Sequence, residues 1–118
     1  MKHQVFIEVM IDDLPVRMAH KDTILELIPL IPNVIPGSGL RTSPTNLRWM
    51  LQRCLDEILT FPVDKLGRWV GFVQGVLALS GFMDVDEERN RTRDRFHNAY
   101  LSTGQVIPET MQIEDEGG

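Results

Sequence analysis

Arg89, Arg93 and His97 stand four residues apart, so on a helix they form a ladder of cationic or titratable side chains one turn apart. Guanidinium forks suit carboxylate and phosphate, so the chemistry this spacing offers is capture of an anionic ligand or of an acidic residue on a partner. The helical phase places Arg89 at an apolar stripe formed by Val85, Thr92, Phe96, Ala99 and Tyr100. An arginine there needs a partner, and an internal salt bridge to Asp56, Glu57 or Asp64 competes with the ligand reading. Arg68 is a further candidate for the same anion.

Catalysis has weaker support. Cys54 and His97 are the pair from which a thiolate nucleophile and its base could be assembled. Cys54, however, lies in the middle of an apolar stripe, where cysteine is ordinarily inert. His3, His20 and His97 have no ligand spacing with one another or with Cys54, so no zinc site is expected. Neither GxxxxGK[ST] nor GxSxG occurs, and Gly37-Ser38-Gly39 reads as a connector. The chain is expected not to be an enzyme and to need no cofactor. Trp49 falls on the polar face of its helix. It is either covered by the chain's own hairpin and proline-rich segment, the favoured reading, or displayed to a partner.

The elements that must hold these residues follow from pattern. At 118 residues with 42% hydrophobic content the chain supports a single domain. Its net charge of −5 argues against nucleic acid as the main partner. A lone cysteine excludes an internal disulfide and fits a reducing compartment, and the N-terminus does not read as a signal peptide. Val5, Ile7, Val9 and Ile11 alternate as in a strand. Val16, Met18 and His20 alternate after the turn-like Asp12-Asp13-Leu14-Pro15, so an N-terminal β-hairpin is expected. Asp22 can cap a short helix that Pro29 interrupts, and PNVIPGSGLRTSP reads as a connection.

Three helices follow. Ser43-Pro44 opens the first, with Leu47, Met50, Leu51, Cys54, Leu55 and Ile58 on one stripe. The second runs from Asp64 to Leu79 with Gly81 as terminator. The third is capped by Asp84, with Glu87 three residues on. The expected fold is therefore α+β: a β-hairpin followed by a three-helix bundle around a central, glycine-faced helix. Residues 1–104 form the domain and residues 105–118 an acidic, flexible tail.

That central helix, in GRWVGFVQGVLALSG, carries Gly67, Gly71 and Gly75 at four-residue intervals, with Ala78 on the same sector. Each interior glycine costs about 0.5–1 kcal/mol against alanine, so the strip calls for a close backbone approach. The favoured neighbour is another helix of the same chain, and a symmetry mate in a homo-oligomer is the alternative. A membrane span is excluded by the short run and by Arg68 and Gln74 within it.

Arg68, Trp69, Gly71 to Leu77, Glu88, Arg89 and Arg93 together resemble a segment of small accessory proteins of tailed bacteriophages. The likeness covers about residues 64–100 and leaves the hairpin unassigned. It supplies a phage context and no mechanism, and it carries no active site with it. The favoured function is a non-enzymatic protein of the bacterial host cytosol that binds and modulates a host protein, in host takeover or counter-defence. Alternatives are an oligomeric receptor or sponge for a nucleotide-like anion, and a minor structural protein of the phage particle.

Overall fold

The computed structural model describes residues 12–103, and every regular element among them is helical. Four α-helices run in order: α1 (Leu14–Leu27), α2 (Pro44–Asp56), α3 (Val63–Leu79) and α4 (Val85–Thr103). A 3₁₀ turn, Ile28–Leu30, extends α1. The α+β expectation is thereby overturned. Val16–His20, expected as a strand, is the first half of α1, and the partner segment Val5–Ile11 lies outside the described residues.

The physical reason is visible in α1 itself. Val16, Ala19, Thr23, Ile24 and Leu27 are its buried positions, a spacing of three and four that continues past the short alternation at 16, 18 and 20. Pro15 sits in the first turn, where its missing N–H costs no helical hydrogen bond, so the DDLP stretch opens a helix and is not a hairpin turn. Asp22 is an exposed position inside α1 and not its cap.

The later helices begin and end where their punctuation places them. Ser43 Oγ accepts from the Asn46 N–H at 3.2 Å, capping α2. Gly81 has φ +82° just beyond α3, a conformation glycine adopts without strain. Asp84 Oδ1 accepts from the Glu87 N–H at 2.9 Å ahead of α4. Ser43→Ala is expected to lower stability by about 1 kcal/mol, measured by urea denaturation; an unchanged midpoint would show that α2 is held by packing alone.

The bundle is centred on α1, not on α3. Helix α1 packs on both α4 and α3, and α2 packs on α3. Helices α3 and α4, though consecutive, do not pack closely backbone to backbone; the Gln74–Glu88 hydrogen bond bridges them. The main core joins Ile24, Leu27, Leu47, Leu51, Cys54, Leu66, Val73 and Leu77, with Ile31 and Ile35 of the connection tucked beneath. A smaller cluster, Val16, Ala19 and Ala99, flanked by Val63, Phe96 and Tyr100, attaches α4.

Two arginines fix the connections to this frame. Arg48 Nη2 donates to the carbonyls of Ile31 and Pro32 at 3.1 and 3.0 Å. Arg17, only 5% exposed, donates from Nη1 to the carbonyls of Ile58 at 3.0 Å and Phe61 at 2.5 Å, and from Nε to Asp13 Oδ1 at 2.8 Å. The turn between α2 and α3 is thus clamped to α1.

Candidate functional site

Besides the Phe96, Ala99 and Tyr100 cluster, helix α4 is held through polar contacts. Glu88 is the buried charge, at 4% exposure. Its carboxylate accepts from Gln74 Nε2 of α3 at 2.7 Å and from Arg91 Nη2. Arg91 also faces Glu26 of α1 at 3.4 Å, and Arg95 reaches the same carboxylate at 2.5 Å. Arg95 Nη1 donates to Thr23 Oγ1 at 2.8 Å, and that hydroxyl donates in turn to the Ala19 carbonyl at 2.9 Å. Glu26 and Glu88 therefore take up Arg91 and Arg95, and these contacts join α4 to both of its neighbours.

Residue 88, rather than residue 89, faces the interior. Arg89 is exposed, against the expectation that it enters the apolar stripe, and it lines a groove between α3 and α4. The carboxylates expected to neutralise it serve nearby residues. Asp64 pairs with Arg68 at 2.5 Å, Glu57 with Arg53 at 3.6 Å, and Asp56 accepts from Gln52 at 2.9 Å. Arg93 is half-buried and donates to Asn90 Oδ1 at 3.2 Å, and His97 is half-buried one turn further on. Arg68 is turned toward its own helix's Asp64 and does not line the groove that Arg89 borders.

The glycine sector has two different environments. At Gly67 a Cβ would lie 3.7 Å from the Cε1 of His20, an ordinary van der Waals contact, so the imidazole packs against α3 at this position without requiring a glycine there. On its other side the ring packs on Phe96 of α4, with centroids 4.6 Å apart. Burial, and secondarily the charge of Arg17, push the His20 pKa down to about 4.

Gly71 and Gly75 are exposed, and a Cβ on either would meet nothing within 4 Å. The expectation that another helix of the same chain crosses them is corrected. The strip does not close the interior; it opens outward. Gly75 and Ala78 form one wall of the α3–α4 groove, a cavity of about 320 Å³ whose other wall carries Val85, Glu88 and Arg89.

Trp49 is 53% exposed, against the expectation that the chain covers it. It lies against Trp69 with ring centroids 5.8 Å apart, and Trp69 meets Phe61 edge-on at 5.5 Å. Lys65 Nζ sits 4.0 Å from the Phe61 centroid and 5.0 Å from that of Trp69. Arg53 stacks over Phe61 at 5.6 Å. The helical pattern places Trp49 on the polar face of α2 but carries no sign of Trp69 and Phe61 closing the patch. Only the α2–α3 turn brings those rings together.

Cys54 is buried in the main core, and desolvation raises its pKa to about 11, so the thiol is protonated at neutral pH. His97 belongs to α4, which packs on α1 away from that core. Among the described residues no three His, Cys, Asp or Glu side chains converge on a point that could hold a metal ion. No helix among them is long and apolar enough to cross a membrane. No known protein family, curated protein or solved structure matches the chain.

Proposed function

We propose that this chain is a non-enzymatic accessory protein of the tailed-bacteriophage type that binds and modulates a host protein in the bacterial cytosol. One observation carries the binding half of that reading: the exposed Trp49, held against Trp69 and flanked by Arg53 and Lys65. Tryptophan and arginine are the side chains most enriched among interface hot spots. A rigid indole backed by a second indole loses little conformational freedom on binding, which favours affinity. Nothing inside the chain requires this ring to be displayed, because the core of α2 is formed from its opposite face, Leu47, Leu51 and Cys54. The phage context rests on the resemblance across residues 64–100.

Tagged wild-type chain and Trp49→Ala, each mixed with bacterial lysate, supply the test. The wild type is expected to retain one host protein in near-stoichiometric amount, and Trp49→Ala to lose at least nine-tenths of it. Because Trp49 is half outside the fold, its removal should change stability by no more than about 0.5–1 kcal/mol. Equal recovery by the two proteins, or recovery of nothing but the bait, would refute the proposed surface.

A further inference from the structure

Residues 104–118, GQVIPETMQIEDEGG, lie outside the described residues and carry four acids, Glu109, Glu114, Asp115 and Glu116, with no lysine or arginine. They follow directly on α4, the helix that bears Arg89 and Arg93. Those two arginines stand one turn apart, about 6 Å along the helix axis. Arg89 is exposed on the wall of the α3–α4 groove, and Arg93 is half-buried, its guanidinium donating to the neutral side chain of Asn90.

We propose that this basic edge is a docking site for an acidic segment and that its occupant is the chain's own residues 109–116, with Glu114 at Arg93 and Glu116 at Arg89. Spacing supports the register. In an extended chain alternate residues project to one side about 6.6 Å apart. Two glutamates two residues apart therefore match two arginines four residues apart on a helix. Direction agrees with it. A segment that leaves the C-terminus of α4 and turns back meets Arg93 before Arg89, and it presents Glu114 before Glu116.

The length of the segment also fits. From Thr103 back to Arg93 is ten residues of helix, about 15 Å. Five extended residues, 109–113, cover about 16 Å. Residues 104–108 are then left for the reversal, with glycine and proline, both strong turn formers, at its two ends.

The surrounding surface admits the same course. Gln74 meets Glu88, and Val63 and Tyr100 border one apolar cluster, so α3 and α4 run antiparallel. The Arg89–Arg93 turn therefore lies across from the α3 turn that holds Gly71, an exposed position with open space beside it. Asp86 and Glu87, both exposed, occupy the first turn of α4, so an acidic run is repelled from that end and held at Arg89. The other terminal segment, residues 1–11, sets one acid, Glu8, against Lys2 and lacks this complementarity. Tethering gives the segment a local concentration of roughly millimolar, which offsets the weakness of exposed, salt-screened ion pairs. An external acidic partner or small anion must displace it to reach this edge. The site is separate from Trp49.

Paramagnetic broadening in the full-length chain supplies the test, with a nitroxide on Gly117→Cys; Cys54 is buried and leaves the new thiol as the reactive one. Amide signals of residues 71–78 and 85–93 are expected to lose at least half their intensity relative to the reduced label, while those around Trp49 keep theirs. Glu114→Gln/Glu116→Gln, which changes no residue of the helices, should restore at least half of the loss, and Arg89→Gln/Arg93→Gln should do the same. Asp115→Asn, on the opposite side of an extended chain, should restore less than a quarter. Raising salt from about 0.05 to about 0.5 M should act like the double glutamate variant. Broadening confined to residues 100–103, as an undocked segment would give, overturns the proposal. So does broadening centred on Trp49, or an effect of Asp115→Asn equal to that of the double glutamate variant. Broadening of an unlabelled, isotope-enriched copy mixed with labelled chain would place the segment on a second molecule and overturn it too. Loss of host-protein capture through Trp49 changes none of these outcomes, so the two readings fail separately.

Discussion

Arg17→Met is expected to destabilise the protein by about 3–5 kcal/mol, the range found when one member of a buried ionic cluster is removed. Methionine keeps most of the aliphatic stem and removes every donor. The carbonyls of Ile58 and Phe61 then lose a charged partner, and Asp13 loses both of its contacts to the guanidinium. Asp13 retains some access to water, with 23% of its side chain exposed, so it can rehydrate. The carbonyls in the α2–α3 turn have less recourse, and an unsatisfied buried acceptor costs about 1–3 kcal/mol. The effect should therefore fall toward the lower end of the range. Against a total stability of about 5–15 kcal/mol, it is still large. Arg17→Lys should recover only part of the loss, since one ammonium cannot span a carboxylate and two carbonyls as the planar fork does. Urea denaturation of the three proteins measures this. A loss under about 1 kcal/mol for Arg17→Met would show that the clamp contributes little beyond packing.

Arg17 also shows why part of the fold was illegible. Between residues 16 and 20 the side chains satisfy both a two-residue and a helical period, and a five-residue window cannot separate them. The deciding positions are Thr23, Ile24 and Leu27, which continue the helical spacing beyond the apparent strand. The sequence reading had given these residues to a separate short helix. The i, i+4 pair of Asp13 and Arg17 was the available local signal for helix. Where the punctuation was unambiguous, as at Ser43-Pro44, Gly81 and Asp84, the boundaries were legible to within a residue or two.

The candidate surface was legible in type but not in direction. The glycine sector was read at the correct angle on α3, yet it faces outward at Gly71 and Gly75 and inward only at Gly67. A helical wheel reports which residues share a face. It does not report which side of the bundle that face takes when three neighbours compete for one helix. On α4, one residue of phase, about 100°, exchanged the roles of Glu88 and Arg89. In the first half of that helix the inward residues are polar and meet Gln74 and Glu26 on other helices, partners that no pattern within α4 encodes.

The second large effect concerns acid. His20 has a folded-state pKa of about 4 against an ordinary value of 6.5, because its ring is pressed between Gly67 and Phe96 with Arg17 one turn behind it. The unfolded chain therefore binds the proton more readily than the folded one between those values. Stability is complete above about pH 6.5, declines as pH falls toward 4, and has no further contribution from this group below that. The gap corresponds to a loss of about 3 kcal/mol across the window. Carboxylates protonate in the lower part of the same window, so the slope between pH 6.5 and 5 is the diagnostic region. His20→Gln carries no titrating ring. Its stability should start below that of the wild type at pH 7, because the packing on Phe96 is lost, and should then stay nearly level down to pH 5. Urea midpoints at half-unit intervals decide the matter: parallel declines in the two proteins would place the acid sensitivity elsewhere. Convergence of the curves as pH falls would assign it to the imidazole buried between α3 and Phe96 of α4.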